Sequence, residues 1–397
     1  MMPDTPISDK THDLLHRHPL ASRIAEMIAH FKESDSLVIG IEGEWGSGKT
    51  SFVNLILEDV RKTDVLVITF NPWNFSDQNE LIKDFFDSIS DALNTVESNK
   101  GIHIARKIKE YSSKLIKNHI TISPELSLAG FVTAKLGEVN EGGNEEPLEK
   151  RKETINTSLK KLGRRIVIVI DDIDRLDSQE TKLIFKLVKM TANFEHTIFV
   201  LAYDRGRVGQ RLNENGIRGE DYLKKIVQVS FPLPKPDPQD LYNILISDIN
   251  VSMQGFDKKL WIEKRWGNLY HSGFKNLFPT IRDIKRYISG LRLDLAIIGQ
   301  EEVNPFDFLG VEALRVFASD VYMAIADEKQ TFTTIGSTYL DGGRDREERK
   351  RIFEQIVNEK SPPELANAVK EIALFLFPQV AGLYTNYFYG HHSQLEW

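Results

Sequence analysis

The sequence predicts an α/β protein in which helices cover both faces of a parallel β-sheet. Two observations predict this class. Short, continuously apolar runs have the character of strands buried on both faces, and they occupy residues 37–41, 65–70, 166–170, 197–203 and 226–231. Segments with helical spacing of their apolar residues separate these runs, and such alternation is typical of a sheet with helices on both sides.

The composition is that of an ordinary globular protein. The chain has 397 residues, 41% of them hydrophobic, and a formal net charge of −7. The absence of cysteine excludes disulfides, thiolate metal sites and cysteine nucleophiles. The polar, acidic N-terminal segment lacks the features of a secretory signal, and no apolar run is long enough to span a membrane. We therefore expect a cytoplasmic protein without a membrane span.

Four prolines at alternate positions, from Pro232 to Pro238, predict a stiff, extended connection between two domains. We expect the α/β core to occupy residues 1–235, with a helical insert at about 75–160. Helical periodicity continues in a lid at 236–300 and a C-terminal region at 301–397. The chain ends soon after an aromatic-rich segment, so we hypothesise that the native protein continues beyond it.

The strongest motif follows the first strand. Its sequence, GEWGSGKT, has the spacing of a P-loop, and a predicted helix begins directly after it. Glycines allow successive N–H groups to surround phosphate oxygens, and the helix N-terminus adds its dipole. We expect Lys49 to reach the β- and γ-phosphates of ATP and Thr50 to help hold Mg²⁺. The expected binding segment is Gly43, Glu44, Trp45, Gly46, Ser47, Gly48, Lys49, Thr50 and Ser51.

Two aspartates end the third strand, where ligands of parallel sheets bind. We expect Asp171 to bind the Mg²⁺ and Asp172 to orient or deprotonate the attacking water. The alternative is a pair of aspartates that caps a turn. In additional-strand P-loop NTPases the fourth strand lies between the first and third, which gives the order 5-1-4-3-2. Asp204, at the tip of that strand, is then a candidate γ-phosphate sensor, or otherwise part of a solvated Asp-Arg turn.

Five segments together resemble the KAP family of P-loop NTPases, and more distantly the STAND and AAA+ groups. They are GEWGSGKTSF at 43–52, FNPWN at 70–74, IDDIDR at 170–175, YLKKIVQ with FPLP at 222–234, and TIRDIKR at 280–286. The resemblance covers about residues 10–300. It implies ATP hydrolysis by an additional-strand core with a helical lid. Members act in bacterial defence and exclusion against phage or as membrane-linked scaffolds in animals.

The sequence departs from the family in three places. Many members carry transmembrane helices between the P-loop and the acidic strand, and the segment 75–160 has none. Pro72 stands where a small residue is usual. The proline that precedes the lid arginine is displaced, because Pro279 is separated from Arg282 by two residues.

Arginines on the predicted lid and after the third strand are candidates for sensing the nucleotide. Arg282, Lys285 and Arg286 share one helix face, and we prefer Arg282 as the lid sensor over Arg286. A basic solvated face is the alternative. Arg175 is a candidate arginine finger for a neighbouring subunit. For it, a salt bridge with Asp174 or Asp177 is at least as good an interpretation.

Three further features have competing interpretations. Trp45 and Trp73 can stack on a base, but burial in the core is the more common fate of tryptophan. The segment 13–17 lies where related ATPases place an adenine-contacting box. A basic predicted helix is either a site for nucleic acid or an ordinary solvated helix; its cations are Arg106, Lys107, Lys109, Lys114 and Lys117.

The preferred function is Mg²⁺-dependent ATP hydrolysis that couples nucleotide state to assembly or conformation. By resemblance, we expect a homo-oligomer with a role in antiphage defence and a partner effector protein. A non-hydrolysing, ATP-dependent switch or scaffold is the first alternative. An AAA+-like enzyme that remodels nucleic acid is the second.

Overall fold

A computed structural model describes most of the chain. The described residues are 5–33, 35–74, 77–96, 99–117, 147–191, 194–214, 216–298, 303–333 and 342–384. The chain divides between Lys235 and Pro236, within the proline-rich connection, into two compact units. The middle of the predicted insert and the last residues of the chain, on which the hypothesis of a longer native protein depends, lie outside the described residues.

The first unit is built on a five-stranded sheet. The strands are β1 (Leu37–Glu42), β2 (Val65–Phe70), β3 (Arg165–Ile170), β4 (Thr197–Tyr203) and β5 (Val229–Pro232). They pair in parallel in the order β2-β3-β4-β1-β5. This is the predicted order 5-1-4-3-2, and it confirms the fold class. The carboxyl ends of β1 and β3 therefore meet at one edge of the sheet, on either side of β4.

Helices cover both faces of this sheet, as predicted. Helices α1 (His18–His30) and α2 (Lys49–Val60) pack on one face around Ile39 and Ile41. The opposite face carries α3 (Gln78–Asn94), α4 (Asn99–Lys117), α5 (Leu148–Leu162), α6 (Ser178–Lys186), α7 (Arg205–Leu212) and α8 (Gly219–Ile226).

Aromatic side chains join the insert helices to the sheet. Phe70 of β2 meets Phe85 of α3 edge-to-face, with ring centroids 5.4 Å apart. Phe86 and Tyr111 continue the contact from α3 to α4 at 5.7 Å. Edge-to-face pairs add stabilisation beyond the apolar area that they bury. The described helices of the insert are therefore part of the core of the first unit.

Helices are the only regular secondary structure among the described residues of the second unit. Its helices are α9 (Pro238–Ser252), α10 (Glu263–His271), α11 (Ile281–Ile298), α12 (Pro305–Phe317), α13 (Ser319–Asp327), α14 (Lys329–Thr333), α15 (Gly342–Lys360), α16 (Ala366–Leu376) and α17 (Pro378–Ala381). One hydrophobic cluster runs through them from Leu241 to Leu383 and includes residues of both predicted regions, the lid and the C-terminal part. Among the described helices of both units, none is both long and apolar enough to cross a bilayer.

Two glycines give a matched test of this packing. A Cβ atom at Gly219 would collide with the carbonyl oxygen of Gly209, where α7 and α8 approach closely, whereas a Cβ at Gly267 in α10 meets nothing within 4 Å. We expect Gly219→Ala to lower the free energy of unfolding of the first unit by about 2 kcal/mol. Gly267→Ala should raise that of the second unit by up to about 1 kcal/mol, because alanine favours helix. Equilibrium denaturation measures both, and a neutral Gly219→Ala would contradict the close approach of α7 and α8.

Candidate nucleotide site

The loop between β1 and α2 has the backbone conformation that its glycines allow. Gly46 and Gly48 have φ values of 82° and 88°, in the left-handed region that side chains disfavour. A Cβ at Gly43 would lie 2.5 Å from Ser47 Oγ. The loop therefore needs glycine at these positions to turn tightly into α2.

The start of α2 has donor groups available for an anion. No side chain among the described residues caps the helix at Gly48, and the first N–H groups of a helix have no acceptor within it. Ser47 Oγ is buried and has no hydrogen-bond partner in the described part of the chain. Orphaned donors at a helix N-terminus fit the phosphates of a nucleotide.

Lys49 joins the loop to the turn after β3. Its Nζ donates to the carbonyl oxygens of Gly43 and Glu44 at 3.0 and 3.2 Å, and to Asp174 Oδ2 at 3.1 Å. The side chains of Lys49 and Asp174 are only 8% and 3% exposed. The carboxylate that contacts Lys49 is thus that of Asp174, the third aspartate of the IDDIDR segment. From the sequence, Asp174 was expected only as an alternative salt-bridge partner of Arg175.

Thr50 and Asp171 meet at the predicted metal position. The Thr50 side chain lies near enough to the Asp171 carboxylate to lower its pKa, and Asp171 Oδ1 accepts from the backbone N–H of Asp172 at 2.7 Å. Burial raises the pKa of Asp171, and its hydrogen bonds and the nearby Lys49 oppose that rise. A hydroxyl and a carboxylate side by side are oxygen ligands of the kind that Mg²⁺ takes. These residues therefore fit the cation that the sequence predicts.

Asp172 has a strained backbone and two side-chain partners. Its φ is 59°, which is uncommon for a residue other than glycine. Asn71, after β2, donates to Asp172 Oδ2 at 2.9 Å, and Arg175 Nε lies 2.8 Å from Oδ1. Sequence reasoning gave Asn71 no role, although it belongs to the FNPWN segment at the end of a neighbouring strand.

The comparisons with known proteins identify the family. Residues 17–297 match the model described as the KAP family P-loop domain. The chain belongs to the KAP family of P-loop NTPases.

One curated relative and several solved structures are also similar to the chain. The phage T7 exclusion protein of Escherichia coli (strain K12) is 28% identical over 265 residues, which cover 60% of this chain and 36% of that protein. The match therefore spans little more than a third of the relative. The Aeropyrum pernix ORC2 protein aligns with 90% of this chain over 84% of the ORC2 chain, at 10% identity and a TM-score of 0.42. AMPPCP-bound DnaA from Aquifex aeolicus aligns with 93% of this chain over 86% of the DnaA chain, at 14% identity and a TM-score of 0.34.

The two tryptophans of the KAP motifs are exposed. Trp45 is 40% and Trp73 is 55% accessible, so the preferred interpretation of both as core residues is wrong. The Arg175 guanidinium lies 5.3 Å from the ring centre of Trp45 and 4.8 Å from that of Trp73. The salt bridge of Arg175 is with Asp172, and not with either of the partners expected from the sequence, because the short turn after β3 directs it back towards Asp172.

The other candidate sensors have partners of their own. Asp204 caps α7 by accepting from the backbone N–H of Arg207 at 3.1 Å. Arg282 lies near the start of α11 in the second unit. Arg286, on the same helix, lies 4.9 Å from the ring centre of Phe317. The sensing roles of Asp204 and Arg282 remain predictions.

Two charged residues, Arg17 and Glu42, border the loop between β1 and α2. The sequence analysis assigned a defined role to neither of them. Arg17, in the predicted adenine-contacting segment, is buried and donates to the carbonyl oxygens of Ser47 and Pro234, each at 2.6 Å. Glu42, at the end of β1, accepts from the Tyr203 hydroxyl at 2.9 Å. Arg17 therefore ties the phosphate loop to the segment after β5, and Glu42 ties β1 to β4.

Two lysines of the basic helix α4 contact neighbouring helices of the insert. Lys109 lies 3.8 Å from Asp87 and 3.4 Å from Asp91 on α3, and Lys107 donates to Ser158 on α5 at 3.2 Å. These contacts favour the structural interpretation of the basic run over a site for nucleic acid.

The raised pKa of Asp171 has a consequence for stability. Because the folded state binds this proton more readily than the unfolded state does, the free energy of unfolding falls as pH rises through the interval between the two pKa values. We expect Asp171→Asn to be more stable than the wild type near pH 7 without nucleotide. The gain should shrink as pH falls towards about 3.9, the ordinary pKa of aspartate.

Denaturant unfolding at a series of pH values measures this difference. Asp177→Asn is the matched control, because Asp177 caps α6 and asparagine caps equally well. An Asp171→Asn protein that is less stable than the wild type at neutral pH would contradict the assigned burial cost.

Proposed function

We propose that this KAP domain binds ATP with Mg²⁺ and hydrolyses it. The observation that carries the proposal is that residues following β1 and residues following β3 lie next to each other. Thr50, in the first turn of α2, lies beside Asp171, which follows β3. Lys49 is the first residue of α2, and Asp172 directly follows Asp171. The candidate groups for binding phosphate, for holding a cation and for acting as base are thus side by side.

Each group has a defined task in this proposal. The glycine-rich backbone and the start of α2 bind the phosphates, and Lys49 neutralises the oxygens of the β- and γ-phosphates. Thr50 and Asp171 hold the Mg²⁺, which when bound neutralises charge on the transferring phosphate. Asp172 orients the attacking water and accepts its proton, while Asn71 fixes the direction of that carboxylate through the bond at 2.9 Å.

A non-hydrolysing switch is the second candidate, and one observation favours it. Both carboxylate oxygens of Asp172 have partners: Oδ1 forms an ion pair with Arg175 without a hydrogen bond, and Oδ2 accepts a hydrogen bond from Asn71. A base whose oxygens are both occupied accepts a proton poorly. In this alternative, binding of ATP alone changes the protein, and turnover is negligible unless the turn after β3 rearranges.

The biological role rests on the relative. We propose that the ATPase acts in bacterial antiviral defence, because the chain resembles a phage exclusion protein over 60% of its length. We further propose that nucleotide state controls homo-oligomer assembly and recruitment of an effector protein. In such an assembly Arg175 is the candidate arginine finger and Asp204 and Arg282 are the candidate γ-phosphate sensors.

Phosphate release tests hydrolysis directly. We expect Lys49→Ala to lower ATP turnover by about 10²-fold or more, because it removes the cation at the transferring phosphate. Asp172→Asn should lower turnover by about 10²-fold while it retains ATP binding. The measurement is a coupled phosphate-release assay with Mg²⁺, accompanied by equilibrium binding of ATP.

Matched controls separate these effects from loss of folding. Lys62→Ala removes an exposed lysine that lies just after α2, and Asp177→Asn removes a charge from a helix cap. Both controls should retain wild-type turnover. Wild-type turnover in Asp172→Asn would contradict the role of Asp172 as the base. Negligible turnover in a wild type that binds ATP would contradict hydrolysis and support the switch.

A further inference from the structure

The three protons of Lys49 are all engaged in the structure. Two acceptors, the carbonyl oxygens of Gly43 and Glu44, belong to the phosphate loop itself, and the third is Asp174 Oδ2 at 3.1 Å. An ammonium group has three donors and no more. A phosphate oxygen can therefore reach Lys49 only by replacing one of these acceptors.

Asp174 is the acceptor that can be exchanged. The two carbonyls lie five and six residues from Lys49 along a loop whose glycines fix its course, whereas Asp174 comes from a separate turn, Ile173–Arg175. Asp174 is also the only charged group among the three acceptors. A phosphate brings the negative charge that replaces it, so the buried lysine stays neutralised throughout the exchange.

We propose that Asp174 competes with the phosphates of ATP for Lys49 and thereby sets the affinity of the site. This inference rests on the proposed binding of ATP. Asp174 is a positioning residue in this account, because it acts through Lys49 and does not touch the nucleotide. A buried carboxylate that loses its cation is costly to leave in place. Release of Asp174 therefore moves the turn that carries it.

The displaced turn also carries the partner of the candidate base. Arg175, the next residue, lies 2.8 Å from Asp172 Oδ1 and is flanked by the exposed rings of Trp45 and Trp73. Movement of the turn withdraws Arg175 from Asp172 and leaves Oδ1 available to a water molecule. Occupation of the phosphate site thus activates Asp172 and alters the exposed tryptophans in a single step.

The test is a double-mutant cycle on nucleotide affinity. We expect Asp174→Asn, which keeps the shape and removes the charge, to bind Mg·ATP and Mg·ADP about tenfold more tightly than the wild type, since the competing anion is gone. In the Lys49→Ala background, Asp174→Asn should leave the affinity unchanged, because the group for which it competes is absent. Asp177→Asn, three residues away, should bind like the wild type. Isothermal titration calorimetry gives the five dissociation constants for each nucleotide.

The outcomes separate this inference from the proposed function. No ATP binding by the folded wild type contradicts both together. ATP binding by the wild type, with equal or weaker binding by Asp174→Asn, contradicts the competition alone, because a scaffold that merely holds Lys49 in place would give that result.

A second measurement does not depend on the folding of Asp174→Asn. ATP should change the tryptophan fluorescence of the wild type, and the change should be smaller in Trp73→Phe, because Arg175 moves away from that ring. Trp261→Phe, in the second unit, is the control for removal of a tryptophan. ATP binding with an identical fluorescence change in wild type and Trp73→Phe would contradict the movement of the turn.

Discussion

The ion pair between Lys49 and Asp174 is the interaction on which the site depends. It joins the loop after β1 to the turn after β3, across the end of β4, in a place with little access to water. A buried charge of this kind persists only when it is paired. The sheet order supplies the pairing, because it brings the two strand ends to opposite sides of one strand. The same juxtaposition places Thr50 against Asp171.

The site retains features that cost folding stability. Asp171 is half-buried with a raised pKa, Ser47 Oγ has no partner in the described chain, and Asp172 has a left-handed backbone. Local rules of protein structure disfavour each of these, and such conflicts are expected where a binding or catalytic group is held ready. Their concentration within two short segments distinguishes this edge of the sheet from an ordinary set of loops.

The sequence predicted the sheet and the phosphate loop because their signals are local. Five apolar runs defined the strands, and the spacing of glycines, lysine and threonine defined the loop. The partners of the charged groups could not be predicted in the same way. Three aspartates lie within four residues, and the positive φ of Asp172 and the short turn that follows decide which of them meets Lys49. That backbone geometry has no local signature.

Other differences from expectation have non-local causes. Trp45 and Trp73 were assigned to the core from the general behaviour of tryptophan, but they lie on loops at the sheet edge, where Arg175 packs between them. The basic run of α4 was compatible with an anionic ligand or with an ordinary solvated helix. Acidic residues of α3, about twenty positions earlier in the chain, pair with it instead. Both results depend on which segments fold against each other.

The most direct measurement of the central claim is calorimetric titration of the folded wild-type protein with ATP, with Mg²⁺ present and then with the metal chelated. The account predicts binding at one site per chain that is markedly stronger with Mg²⁺, because Thr50 and Asp171 hold the metal beside the phosphates. Absence of ATP binding in the presence of Mg²⁺, or an affinity that does not respond to the metal, would contradict it.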